Sequence, residues 1–313
     1  MTLVTAPLGA QGFTVTGDVA RGGAGGGRTP VAGRWAVLHR VTAQGGAPID
    51  SIRTDRDGRF RFRLAAPDTA AVYLASTEWH GVGYFTAPVR LIGRPADTLE
   101  TLVVWDTSST GPPIRLVRRL TTIARLDNAD GTFDVLEVFH IENRGVTARV
   151  SDDTARPVWS VTIPRAAIQF QAREGDVSPD AVVRRGDQVG VHGTIAPGGI
   201  RQVSVTYALP RDLRTVEVPV DQPTGQVDLL IEGDGADVTG PTITALDPDS
   251  IEGRVFRRFA TGALDTGAVL TVTLPAARAG VQRILPFVVA ALVLAFAGGA
   301  WVALRPRRGA ASA

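Results

Sequence analysis

The sequence predicts an all-β protein: two β-sandwich domains followed by one C-terminal transmembrane helix. Three observations carry this. Apolar and polar residues alternate with period two along most of the chain, the pattern of strands with one buried face. The 35 Gly and 20 Pro are dispersed among these runs rather than periodic, so they punctuate short strands and exclude collagen or long helical arrays. Residues 284–304 form a single run of 21 residues without one charge.

Taken in order, residues 1–10 read as the remnant of a secretory signal peptide. Leu3–Ala10 is apolar, and Leu8-Gly9-Ala10 fits a small-residue cleavage site before Gln11. An ordinary N-terminal segment is the other reading, because the basic start and most of the apolar stretch are missing. The first strand follows, with Phe13 and Val15 alternating with Thr14 and Thr16. Gly22–Gly27 is too rich in glycine to hold one conformation and is expected to be a mobile loop. Asp55-Arg56-Asp57-Gly58 is a hairpin signal, because glycine tolerates positive φ. It leads into a strand with Phe60, Phe62 and Leu64 on one face and Arg59, Arg61 and Arg63 on the other. Asn128-Ala129-Asp130-Gly131 repeats the device before Phe133. Further strands are marked by Trp159, Val161 and Ile163, by Val203, Val205, Tyr207 and Leu209, and by Leu270, Val272 and Leu274. One polar and one apolar face per strand suits antiparallel sheets packed face to face. The Gly- and Pro-rich stretch 93–114 places the boundary between a first domain, 11–104, and a second, 105–275.

Residues 276–283 then form a short juxtamembrane stalk. The 284–304 helix spans about 31 Å at ~1.5 Å per residue, the thickness of a bilayer's hydrocarbon core. Arg283 flanks one end and Arg305, Arg307 and Arg308 the other, with Trp301 near the second boundary. A buried core helix is the competing reading. Three arginines follow the helix and two, Arg278 and Arg283, precede it. The positive-inside rule therefore leaves the 305–313 tail in the cytoplasm and the body periplasmic or extracellular. A tail-anchored protein with a cytosolic body is the rival topology. The lipid bilayer is thus one expected partner.

The 33 basic residues stand against 31 acidic ones, a formal net charge of +2, which is not the footprint of a nucleic-acid binder. All the basic residues are arginine. There is no cysteine, which removes thiol nucleophiles, disulfides, iron–sulfur clusters and Cys-ligated zinc.

Residues 13–90 resemble the carboxypeptidase regulatory-like (transthyretin-like) domain. The carrying residues are Gly17-Asp18-Val19, Pro30-Val31-Ala32-Gly33 with Val37-Leu38, and the hairpin Thr54-Asp55-Arg56-Asp57-Gly58-Arg59-Phe60-Arg61-Phe62. Tyr73-Leu74-Ala75 and Gly81-Val82-Gly83-Tyr84-Phe85 follow. The Gly-rich insertion before Pro30 departs from the family's short loop. The resemblance implies a seven-stranded, prealbumin-like sandwich serving as an extracytoplasmic accessory module, and it brings no catalytic residues. Residues 105–275 carry no such likeness.

Little points to a reaction. His39, His80, His140 and His192 lie in no HExxH, HxxE or HxH spacing, and no GxSxG or phosphate-loop motif occurs. His140 reads as a partly buried strand residue. Asp55, Asp57, Asp127, Asn128 and Asp130 sit in turns without EF-type spacing, so turn formation accounts for them and calcium is the lesser reading. No metal and no cofactor is expected, and no catalytic residue is assigned. The Arg59/Arg61/Arg63 face and the Arg115/Arg118/Arg119 cluster read as solvated strand faces; contact with anionic lipid or polysaccharide is the alternative. The candidate ligand or partner surface is Trp79, His80, Tyr84 and Phe85; an equal reading puts Tyr84 or Phe85 in the core. The expected function is a non-enzymatic interaction or envelope-structural module with an envelope protein as partner. A carbohydrate- or peptide-binding receptor is the alternative, and a hydrolase with a dispersed site comes last.

Overall fold

The computed structural model describes residues 12–92, 96–125 and 132–275. Among these the regular structure is all strand apart from two 3-10 turns, Ala24–Gly26 and Pro179–Ala181. None of the described helices is long and apolar enough to cross a membrane. The expected signal remnant, the Asp127–Gly131 turn, the stalk with Arg278 and Arg283, the 284–304 helix with Trp301, and the tail with Arg305, Arg307 and Arg308 lie outside the described residues.

The strands fall into two compact units. The first ten are β1 (Phe13–Gly22), β2 (Arg28–Pro30), β3 (Trp35–Thr42), β4 (Gly45–Arg53), β5 (Arg59–Leu64), β6 (Val72–Trp79), β7 (Val82–Phe85), β8 (Ala96–Thr98), β9 (Leu102–Val104) and β10 (Thr107–Ser108). With β13 (Ala148–Arg149) they make unit 1. Unit 2 holds β11 (Arg115–Arg125), β12 (Phe133–Glu142), β14 (Trp159–Thr162), β15 (Ile168–Arg173), β16 (Val182–Arg185), β17 (Gln188–Val191) and β18 (Ile200–Leu209). It is completed by β19 (Thr215–Pro219), β20 (Val227–Glu232), β21 (Asp237–Thr239), β22 (Thr244–Ile251), β23 (Arg254–Ala260) and β24 (Val269–Thr273).

Unit 1 is a β-sandwich. One sheet has β1 at its centre, with β2 and β5 antiparallel to it and β8 and β9 parallel; the other runs β4-β3-β6-β7. Alternation decides which side chains meet between them. Phe13 and Val15 of β1, Phe60 and Phe62 of β5, Leu38 of β3 and Tyr73 of β6 form one buried core, while Arg59, Arg61 and Arg63 face water. The expected turn at Asp55–Gly58 is present, but it closes no hairpin: β4 and β5 do not pair, and the turn carries the chain from one sheet to the other. The Asp55 carboxylate accepts the backbone N–H groups of Asp57 and Arg59, both at 2.9 Å. Gly58 takes φ +76° and lies so close to the backbone that an added Cβ would stand 2.4 Å from the Val19 carbonyl oxygen. Thr54, buried, donates to the Val31 carbonyl at 2.7 Å and accepts from the Arg34 N–H at 3.0 Å. The Asp55 carboxylate is thus occupied by backbone bonding.

Three further expectations are corrected. Gly22–Gly27 is not a shapeless loop: β1 extends to Gly22, one 3-10 turn follows, and β2 pairs back through Ala20↔Pro30 and Gly22↔Arg28. A ladder on both sides restrains what glycine content alone leaves free. Unit 1 does not stop at 104 either. It runs to Pro112 and recruits residues 144–150 and 194–198, because β13 pairs with β10 and Arg149 bridges Ile195. The third correction concerns Arg119, which is not on a solvated face (below).

Unit 2 is organised on a seven-stranded sheet of order β15-β18-β12-β11-β20-β23-β22, with two smaller sheets, β14-β17-β16 and β19-β24-β21. The inner strands are buried on both faces, so the polar alternate positions of β18 are not at the surface: Gln202, Ser204 and Thr206 are 8%, 1% and 4% exposed. Burial of such groups requires partners. Gln202 donates to Ser204 at 2.9 Å and Arg173 to Thr206 at 2.9 Å. On β11 a bulge follows Leu116, and Arg118 and Arg119 then take opposite faces. Arg118, half-exposed, donates to Asp228 at 2.5 Å. Arg119 is buried, and its Nε and Nη2 donate to Glu137 Oε1 at 3.0 and 2.6 Å. Thr121 adds a bond to the same oxygen at 3.0 Å, and Arg119 Nη1 reaches the Pro219 carbonyl at 3.0 Å. Burial pushes the Tyr207 phenol well above its usual range, and the neighbouring Glu137 charge adds to this.

Both sheets guard an edge in the same way. β4 and β22 are edge strands exposed at nearly every position, and each carries a register shift, a proline and aspartate. These features oppose edge-to-edge pairing.

Candidate functional site

Three of the four sequence candidates converge in unit 1. β6 ends at Trp79, and Trp79↔Val82 pairing closes a two-residue turn at His80 and Gly81, with φ of 50° and 76°. Both central residues at positive φ suit the right-handed twist of the strands. The turn brings Trp79 and His80 beside Asp106. Trp79 Nε1 donates to Asp106 Oδ1 at 3.0 Å, and His80 Nδ1 lies 3.7 Å from the same oxygen. Arg21 of β1 donates to Asp106 Oδ2 at 3.4 Å. The Tyr84 hydroxyl donates to the Trp105 carbonyl at 3.1 Å. Burial pushes the Tyr84 phenol up, and the Asp106 carboxylate adds to that. The Arg34 guanidinium lies 4.6 Å over the Trp79 ring, and the His80 ring stacks on it at 4.9 Å. Beneath Trp105 only glycine fits: a Cβ on Gly22 would come within 2.5 Å of the indole.

Phe85 is not part of this cluster. It alternates with Tyr84 and emerges on the opposite, solvent face of the β4-β3-β6-β7 sheet, 64% exposed, while Tyr84 packs against the core. On that outer face its ring lies 6.2 Å from His39, which is hydrogen-bonded to Ser76 at 2.7 Å. Trp35, 51% exposed, occupies the same face two residues before Val37, with Arg53 stacked over it at 4.7 Å. Leu74 faces His39 across the β3–β6 ladder.

Beside Trp79 a cavity of about 320 Å³ is lined by Arg21, Thr29, Pro30, Val31, Ala32 and Arg34. A cavity of about 600 Å³ elsewhere in unit 1 sets Arg53, Arg59 and Arg61 against Asp18 and Asp55, so its charges are largely matched. In unit 2 a cavity of about 460 Å³ is lined by residues including Arg165, Asp187 and Glu217. Of these three, the smallest presents arginines with no acid in its lining.

Sequence reasoning missed Arg21, Arg34, Trp105 and Asp106. Their separation from Trp79 in sequence hides the cluster, and Trp105-Asp106 falls in the stretch read as a boundary. The other histidines do not join it: His140 is half-buried on β12, and His192 faces the Thr154 carbonyl at 3.2 Å. Burial, then the Arg118 charge, depress the His140 imidazole below its ordinary range.

No family model and no curated protein matches the chain. Among solved structures it is similar to an M1 zinc metallopeptidase from Deinococcus radiodurans, at 11% identity and a TM-score of 0.34, covering 56% of this chain and 47% of that one. A mutant of that enzyme bound to a Tyr-Ser-Ala substrate matches at 11% and 0.34, covering 57% and 52%. The chain spans about half the length of these structures. Likeness at this level bears on neither reaction nor substrate.

Proposed function

We propose that the chain is a non-enzymatic interaction module of the cell envelope, with the 284–304 segment as its bilayer anchor, the body periplasmic or extracellular and the 305–313 tail cytoplasmic. The observation that carries the reading is the outer face of the β4-β3-β6-β7 sheet, where Trp35 and Phe85 stand more than half exposed around His39, Val37 and Leu74. An apolar face with exposed aromatics marks an interaction site more often than idle surface. Arg beside aromatics is also the composition of binding hot spots. Arg53 stacked on Trp35 calls for a protein partner with an apolar centre and a carboxylate at its rim. The resemblance of residues 13–90 to regulatory-like accessory modules supports the same reading.

The test joins location to surface. The full chain should sediment with membranes and resist carbonate extraction, and its body should be cut by protease added to spheroplasts. Trp35→Asp with Phe85→Asp should leave the urea midpoint unchanged while abolishing a discrete crosslinked complex seen with the parent. A body protected in intact spheroplasts would overturn the exported topology. An unaltered crosslinking pattern would overturn the assignment of the face.

A further inference from the structure

We infer that the cavity beside Trp79 binds a carboxylate carried on an extended acidic peptide. This goes beyond the docking face, since it rests on different residues on the other side of the sheet. The Arg34 guanidinium is held by stacking on Trp79 and donates no hydrogen bond among the described residues, while its backbone is fixed by the Arg34 N–H bond to Thr54. Arg21 spends one long bond of 3.4 Å on Asp106, and its side chain stays 48% exposed. A guanidinium has five donors in a fixed fork that matches a carboxylate. Two such forks therefore border one cavity with most of their donors unused. The remaining lining, Pro30, Val31 and Ala32, is apolar apart from Thr29, and no acid competes within it.

Two observations choose the peptide over a sugar. The Trp79 ring is already covered by Arg34 and His80, so it offers no open stacking platform to a pyranose. β2 is an edge strand, paired only with β1, and it borders the cavity through Thr29 and Pro30. β2 is only three residues long and Pro30 has no N–H, so it supports no full ladder, and an extended chain along this edge is held chiefly by the guanidinium pair on its carboxylate.

The test uses the full chain in detergent and a fluorescein-labelled oligo-glutamate peptide, followed by anisotropy in low-salt buffer. Saturable binding is expected. Arg34→Gln and Arg21→Gln should each weaken it about tenfold or more, the loss of one charge-assisted pair. Arg61→Gln, an exposed strand-face arginine away from the cavity, should leave it within about twofold. The urea midpoints of all three variants should match the parent. No saturable binding would overturn the inference. Equal loss in Arg61→Gln would reduce it to a diffuse positive field. Competition by oligogalacturonate or inorganic phosphate at lower concentration than by unlabelled peptide would overturn the choice of ligand. None of these outcomes touches the Trp35–Phe85 face.

Discussion

Replacing Gly58 with alanine asks whether a single methyl group breaks the turn that joins the two sheets of unit 1. Gly58 sits at φ +76°, where an L-residue costs ~1–2 kcal/mol. Sterics add to this. The new Cβ would lie 2.4 Å from the Val19 carbonyl oxygen and 3.0 Å from the Val31 nitrogen, both backbone atoms that cannot rotate away. Those atoms are bonded to each other, Val31 N–H to Val19 oxygen at 3.0 Å, and Val19 N–H donates to the Gly58 carbonyl at 2.8 Å. Relieving the clash sacrifices at least one of these bonds, at ~1–3 kcal/mol for a buried group left unpaired. The sum is about 2–5 kcal/mol. Gly33 provides the control: its φ is +72° and nothing lies within 4 Å of its added Cβ. Gly33→Ala should therefore cost only the ~1–2 kcal/mol of backbone strain. Urea unfolding of residues 12–275, followed by tryptophan fluorescence, measures both. Trp35, Trp79 and Trp105 lie in unit 1 and Trp159 alone in unit 2, so the signal is weighted to the right unit. Coincident midpoints for the two alanine variants would refute the close-approach argument.

Two further outcomes concern unit 2. Arg119→Met leaves Glu137 buried without its counter-charge and should cost about 3–5 kcal/mol, whereas Arg119→Met with Glu137→Leu should recover most of that; urea midpoints of the two variants decide it. His140 tests pH dependence: its folded imidazole lies below the ordinary 6.5, so the unfolded chain takes up the proton first as pH falls. Stability is then full above pH 6.5 and is lost as pH drops from there toward the folded value. Asp134 acts in the opposite sense, because burial raises it above 3.8 and stability declines as pH rises past that value. The comparison is therefore between parent and His140→Gln at about pH 7.5 and about pH 5.5; the variant should lose less on acidification, and parallel losses would exclude His140.

Strand content was legible because one buried face leaves a period of two, as in Phe60, Phe62 and the arginines between them. The Asp55–Gly58 turn was legible because its chemistry is local: the carboxylate bonds backbone two and four residues on. The same rule misled for β18. Ser204 and Thr206 look like a wet face, yet a strand in the middle of a wide sheet is covered on both sides, and hydroxyls survive there by bonding to Gln202 and Arg173. Arg119 was misread likewise, since its partner Glu137 lies on the next strand and no local pattern announces the pair. Trp79, His80 and Tyr84 were found as aromatics around a turn, but Arg21, Arg34 and Asp106 reach them only through strand pairing across tens of residues.

The three-piece make-up of unit 1 has a bearing on how the protein is made and rearranged. A ribosome that has released residues 1–112 has not yet delivered the strand that pairs with Thr107–Ser108, nor the Thr194–Gly198 segment that bridges to Arg149. The amino-terminal unit is therefore finished late, after much of the second has emerged, and folding cannot proceed strictly from one end to the other. By the same logic no single cut in the gene excises either unit whole. A chain cut after residue 112 would leave Thr107–Ser108 without its partner strand.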